Sequence, residues 1–545
     1  DAATYYLDAN VVGGNDDGTS WENAWKTITK AFAYLDSLSD NGSGDTLIVR
    51  TGNYGNHWDR EERTDWLTIQ ADDGHTPNFT HFNIGLTNDP VRNTYLYFKD
   101  ITIKIDDSDN HSDTCVSIIR SRYVKFENVT FIGMAFPGEG NTDYYDWLHG
   151  GSYGINILRG CKYITIDGCS FTGLENAIYS RDKEGSGNST DRVESVTITD
   201  CNITKCDTAV HAWGHDFAII NNHVHNMYGD GFKVLCENID INDNHIEGVW
   251  NYVYFVDETG ATYNNDTKVI TASAGTPYTF PEHATTSARI TVDGVTSNFK
   301  AIDSHTTSTI TMDMAFGASF TGTVTKIEIN DGGHADAIQI MWDSSPDHVV
   351  TKNAVIARNH IHDQIHQGIY SNTDSENPTT GLVLENNLIY DCGAHEVQIF
   401  NSIDVVLRNN TVDGHVIFRN GTVATEVSNN IFYNFTDYSS HHVTPEQVTI
   451  DNFDYNILNQ CYFASLPSSN NIKYNNENSF QALFTDYDNK DYTLASDSIA
   501  INRSVSSKSS STDILGNPRD AEPDAGCYEY IQGTPSLGKT QNLLL

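Results

Sequence analysis

The sequence predicts an all-β fold, a parallel β-helix, and three observations carry that expectation. One short phrase recurs between residues 100 and 435: an Asn after a polar residue, an apolar pair, a turn, then a small residue opening a five-residue strand. It stands at Glu127-Asn128, Asn221-Asn222, Asp243-Asn244, Arg358-Asn359, Glu385-Asn386, Arg408-Asn409 and Ser428-Asn429, and Cys169 and Cys201 take the Asn position in two copies. From Cys169 onward neighbouring copies lie 20 to 32 residues apart, except for a gap of 115 between Asn244 and Asn359. A period in that range marks a solenoid. The repeated units read as strands joined by polar turns, without helical periodicity, which selects stacked β-coils.

The elements follow in order. Residues 4–7 (Thr-Tyr-Tyr-Leu) read as a first strand. Trp21 to Leu38, apolar at Trp25, Ile28, Ala31, Phe32 and Leu35, reads as an amphipathic helix. A helix is expected there because an open β-helix end exposes core and unpaired strand edge. The cap and first coil are placed at 1–60 and the β-helix at 61–258. The 115-residue gap predicts an inserted β-subdomain at 259–330, from alternating runs such as Ala288-Arg289-Ile290-Thr291-Val292. The β-helix and its closing segment resume over 331–531, and 532–545 reads as a disordered tail.

Composition narrows the function. Lys+Arg 32 against Asp+Glu 73 leaves a formal net charge of −41. Such a surface repels nucleic acid and anionic membranes, which need basic patches. No stretch of about 18 apolar residues is present to span a bilayer. The chain opens at Asp1 without a signal peptide, as a mature secreted protein would, and secretion as a monomer is the expectation. The nine cysteines lack zinc-site spacing. Cys169 and Cys201 at the ladder position read as buried thiols, with a Cys201–Cys206 disulfide as the alternative. The several Asn-x-Ser/Thr sequons arise from the ladder composition, so glycosylation is not inferred.

Aligning the strands that open each coil gives a column-by-column view. The second position is apolar throughout: Ile155, Ile178, Val210, Phe232, Val253, Ile338, Ile369, Val397. Side chains alternate across a strand, so the third column faces outward. It reads Asn156, Tyr179, His211, Lys233, Tyr254, Gln339, Tyr370, Gln398, and the fifth column carries Arg181, Trp213 and Met341. Aromatics to stack on sugar rings, amides for hydroxyls and a central Tyr–His–Lys–Tyr run suit a glycan groove. Strands about 4.8 Å apart would spread four such rungs over roughly 15 Å, a few sugar residues. Asp230, Asp257, Glu258, Asp336 and Asp343 gather around the central coils, with His334 and Trp342 beside them.

The opening Asp45-Thr46-Leu47-Ile48-Val49-Arg50 with Gly52-Asn53-Tyr54 resembles the N-terminus of many secreted right-handed β-helix proteins that act on polysaccharides. In architecture and in its Lys, Tyr and His inventory the chain resembles the right-handed β-helix lyases acting on alginate, pectate and related uronans. That resemblance implies a right-handed coil and β-elimination on an anionic polysaccharide. From column position alone, Lys233 or His211 would serve as base and Tyr254 as acid, with Arg181 and Gln339 on the substrate carboxylate. Tyr179, Trp213, Gln339, Tyr370, Gln398, His334 and Trp342 would bind substrate. A Ca²⁺ held by Asp230, Asp257, Glu258 and Asp336 would assist neutralisation. The alternatives are a glycoside hydrolase using Asp257, Glu258, Asp336 and Asp343, a uronan C5-epimerase, and a non-catalytic glycan-binding or viral receptor-binding protein. A tight Asp-Pro-His motif for the epimerase is absent; only Pro346-Asp347-His348 comes near. His223, His245 and His360, each following a ladder Asn, read as structural. His362 and His366 read as turn residues near the Tyr370 strand. Asp106-Asp107-Ser108-Asp109-Asn110 reads as a solvated turn.

Overall fold

The computed structural model describes residues 2–87, 90–105, 114–133, 152–181, 192–249, 253–256, 261–271, 287–292, 295–297, 300–305, 309–312, 320–330, 335–342, 350–437, 448–461, 468–474 and 476–531. The expected tail at 532–545, the Asp106–Asn110 turn, and Asp257, Glu258, His334 and Asp343 lie outside them. The chain divides into two units, Asp1–Val224 with Val234–Asp240 and Asp343–Val349, and His225–Lys233 with Ile241–Trp342 and Val350–Leu545. The fold is a right-handed parallel β-helix.

In the first unit, three strands per coil stack in parallel rows. One row runs Arg92–Lys99, Ser121–Glu127, Lys162–Asp167, Glu194–Thr199; the next runs Thr102–Lys104, Thr130–Ile132, Ser170–Thr172, Asn202–Thr204; the third runs His81–Ile84, Thr114–Ile119, Tyr153–Leu158, Asn176–Arg181. Parallel pairing in register places like on like. Phe98 stacks on Phe126 at 5.1 Å and Phe131 on Phe171 at 4.6 Å, which fills the narrow interior. The N-terminal helix is Ile28–Leu35, shorter than the sequence suggested. Trp25 instead bridges to Leu7 and its N–H bonds to the Tyr6 carbonyl, so strand pairing claims the residues before Thr27. The Thr27 side chain caps the helix, which buries Ile28, Ala31, Phe32 and Leu35.

The recurring phrase encodes a corner. Asn128, Gly168, Asp200 and Asn221 adopt φ of 53°, 60°, 54° and 59°, the left-handed region that Gly, Asn and Asp tolerate. The residue after each turns into the core: Val129, Cys169, Cys201 and Asn222. Asn128 therefore occupies the corner, not the interior ladder. The same correction applies at Asn386, Asn409 and Asn429, where the inner position belongs to Asn387, Asn410 and Asn430.

In the second unit that inner row is a continuous amide ladder, Asn244–Asn359–Asn387–Asn410–Asn430–Asn456–Asn471. Each Nδ2 donates to the next Oδ1 at 2.9 to 3.2 Å. The outer Asn of each pair holds the C-terminal segment. Asn386 donates to the Thr512 carbonyl, Asn409 to that of Asp524 and Asn429 to that of Lys508. That segment closes over a second core of Leu388, Tyr390, Ile431, Phe480, Tyr492 and Cys527, among others. All nine cysteines are buried and free, so no Cys201–Cys206 bridge forms.

The insertion forms its own antiparallel sheet, beginning at Val253–Val256, before the residue 259 read from the sequence. Gly322–Asn330 pairs with Ala261–Asn264 on one side and Ser287–Val292 on the other, closing a small barrel through Val269–Thr271, Thr309–Met312 and Lys300–His305. Closure removes exposed strand edges. Its core is Ala261, Tyr263, Ile270, Ile290, Val292, Ile310, Met312, Val324 and Ile327.

Candidate functional site

The outward column exists in each unit, with one substitution. Tyr254 does not stand on the coil after Lys233: its strand pairs antiparallel with Gly322–Asn330, so the proposed rung order fails there. The coil after Lys233 is instead supplied by Ile338–Ile340, since Gly231 and Phe232 donate their N–H groups to the Asp336 and Ala337 carbonyls. The chain leaves the stack, builds the barrel and resumes pairing at Ile338.

Within the first unit Asn156, Tyr179 and His211 follow one another in register. Tyr179 meets Tyr153 at 5.0 Å and His211 edge-on at 4.8 Å, and the Arg181 guanidinium lies 4.9 Å over the Trp213 ring. Burial pushes the Tyr153 phenol up to about 12, and the charge of Glu175 adds to it. Two polar atoms of this face, Trp213 Nε1 and Asn156 Oδ1, are buried without a hydrogen-bond partner among the described residues. Unmet buried donors and acceptors are costly, and beside rings and a guanidinium they suit sugar hydroxyls.

The titratable groups concentrate in the second unit. Gln339, Tyr370 and Gln398 stand in register on three successive strands. They face outward yet are nearly covered, at 8%, 9% and 6% exposure. Gln367 Nε2 donates to Gln398 Oε1, and Tyr370 meets Phe400 edge-on at 5.9 Å. Burial raises the Tyr370 phenol above its ordinary value, Asp336 adding to this and Arg419 opposing it, so the hydroxyl keeps its proton.

Two buried carboxylates underlie this column. Asp230 Oδ2 lies 2.7 Å from Lys233 Nζ, and its Oδ1 accepts the Asp336 N–H at 2.9 Å. Burial pushes Asp230 up while Lys233 pulls it back. The ion pair holds Lys233 Nζ beside this column. Asp336, fully buried, accepts from Gln367 N–H at 3.2 Å and lies 3.0 Å from His366 Nδ1. A carboxylate at Nδ1 fixes the ring and its tautomer, which makes Nε2 the proton acceptor. His366, read from the sequence as a turn residue, is thereby part of a built Asp–His pair with a quarter of its side chain exposed. Trp342 lies just past the Ile338–Ile340 strand, bridged to Val350.

Calcium prefers six to eight oxygens. Asp230 gives its oxygens to Lys233 and the Asp336 N–H, and Asp336 Oδ1 meets His366 and the Gln367 N–H. Asp257 and Glu258 fall outside the described residues.

One neighbouring carboxylate titrates with consequence. Glu396 accepts the His415 and Cys392 N–H groups, and burial raises it from 4.5 to about 8. The folded state therefore holds a proton that the unfolded chain releases between those values. The contribution to stability is full below 4.5 and is lost as pH rises to about 8, on the order of 5 kcal/mol. Urea midpoints are expected to fall between about pH 5 and pH 8.5, and to fall less in Glu396→Gln. Equal pH slopes in both proteins would refute the assignment.

These side chains stand on the strands of a right-handed parallel β-helix. The family described as "right handed beta helix region" matches residues 103–276. No curated protein sequence matches the chain. Among solved structures, XylC in complex with xylose is similar at 11% identity and a TM-score of 0.46, covering 97% of this chain and 98% of that one. PfbA, a surface adhesin of Streptococcus pneumoniae, gives 14%, 0.43, and coverage of 85% and 90%. Pectate lyase Pel9A gives 12%, 0.37, and coverage of 97% and 96%.

Proposed function

We propose that the protein is a secreted, monomeric polysaccharide lyase that cleaves an anionic, uronic-acid-containing glycan by β-elimination. The observation that carries this reading is the Asp336–His366 pair beside a protonated Tyr370 and the Lys233 ammonium. His366 Nε2 takes the C5 proton of the uronate, the C4–O4 bond breaks, a C4=C5 double bond forms, and the Tyr370 hydroxyl protonates the departing O4. Lys233 and Gln339 neutralise the carboxylate, which makes the C5 proton acidic. Tyr179, Trp213 and Arg181 supply a glycan-binding face in their own unit.

The hydrolase reading needs two carboxylates flanking the bond, open to substrate and about 5 to 9.5 Å apart. Of the four carboxylates that reading uses, Asp336 is buried against His366, and Asp257, Glu258 and Asp343 lie outside the described residues. Incubation with alginate, pectate, ulvan and glycosaminoglycans, with and without EDTA, is expected to raise absorbance near 235 nm on one of them. New reducing ends without that absorbance would establish a hydrolase, and neither signal would end the cleavage reading. Loss of the signal with EDTA would restore the calcium expectation.

A further inference from the structure

A second cluster lies on a different strand row of the same unit and has no part in the proposed elimination. His245–Val249 pairs in parallel with His360–Gln364, setting His245 beside His360 and Glu247 beside His362. Residues i and i+2 share a face of a strand, so these four side chains form the corners of a square on one surface. His362 in turn is beside Tyr390 on the next strand, and their rings stack at 5.0 Å and 3°.

The distances are those of a ligand set. His245 Nε2 lies 3.0 Å from His362 Nε2, Glu247 Oε2 lies 3.5 Å from His362 Nε2, and ligand atoms of His245, His360 and His362 fall within 4.8 Å of one another. Two nitrogens bound at about 2.0–2.1 Å to one tetrahedral ion stand roughly 3.3 Å apart, so only small shifts separate this geometry from a coordinated one. His360 Nε2 is 3.1 Å from the Tyr390 hydroxyl, which with the ring stacking limits how far the imidazoles turn. Side chains of His245 and His362 are 23% and 18% exposed, so an ion can reach them.

We propose that His245, His360, His362 and Glu247 form a binding site for a divalent transition cation of the Zn²⁺ class. Three imidazoles and one carboxylate select borderline metals over Ca²⁺ and Mg²⁺, which prefer oxygen. With no ion present the alternative is a stacked imidazole ladder held by an N–H···N bond, which would take up no metal.

The test uses the full chain, stripped with EDTA and dialysed against Zn²⁺ in millimolar Mg²⁺ and Ca²⁺, with bound metal read by mass spectrometry. One equivalent is expected to be retained, and Co²⁺ in its place is expected to give the intense visible bands of a tetrahedral site. The His245→Ala/His362→Ala double variant should lose the equivalent. Glu247→Lys, at a half-buried position and with folding checked by circular dichroism, should weaken binding at least about tenfold. Retention no greater in the wild type than in the double variant, unchanged affinity in Glu247→Lys, or only the weak octahedral Co²⁺ spectrum would each overturn the proposal.

Discussion

His366→Ala is expected to lower kcat on the cleaved polysaccharide by about 10²–10⁴-fold while leaving KM within a few-fold, as for loss of a general base. Asp336 would keep the Gln367 N–H but lose its imidazole, so the variant also loses stability, and circular dichroism must accompany the assay. Asp336→Asn separates the two effects. It preserves shape and leaves His366 in place, yet removes the charge that orients the ring, and activity should still fall by roughly 10²-fold or more. Lys233→Met should act differently, raising KM for the anionic substrate more than it lowers kcat, because the ammonium binds the carboxylate and transfers no proton. If His366→Ala kept activity within about threefold while Lys233→Met abolished it, the base would be Lys233 and the ion pair with Asp230 would have to open during turnover.

Much of this architecture was readable in advance because a β-helix repeats its physics. Each corner takes a left-handed residue, so Asp200, Asn221 and Asp243 recur, and a buried Cys or Asn follows each of these three. What the period could not give was the register within an Asn-Asn pair. Asn386 and Asn387 are equally good letters, and only the C-terminal segment bonded to Asn386 distinguishes them. Nor could alternation locate Tyr254, since Val253-Tyr-Phe-Val reads as a coil strand although it pairs with the barrel. His366 escaped a column-based search because it sits in the turn before its strand, and its partner Asp336 comes from the previous coil. The histidine square left a faint trace, His245-x-Glu247 and His360-x-His362, but its meaning depends on a pairing across 115 residues of sequence.

Asn410→Ala is the substitution expected to cost most in stability without touching a titratable group. Its Oδ1 accepts both the backbone N–H and the Nδ2 of Asn387, each at 3.0 Å. Its Nδ2 donates to the Leu384 carbonyl at 2.8 Å and to Asn430 Oδ1 at 3.0 Å. Truncation strips partners from several groups in a dry interior, each worth about 1–3 kcal/mol and not additive, so a total of roughly 3–5 kcal/mol is expected. Asn430 Oδ1 would still accept the residue 410 N–H, which bounds the loss from above. Asn471 ends the row: its Oδ1 accepts the Asn456 N–H and Nδ2 and its Nδ2 donates to the Phe453 and Ser468 carbonyls, but among the described residues it donates to no further ladder amide, so Asn471→Ala should cost less. Urea denaturation of the two variants against exposed Asn452→Ala decides it. If all three midpoints shift alike, the ladder is a passive filler of the coil, and burial of Asn there must be explained by packing alone.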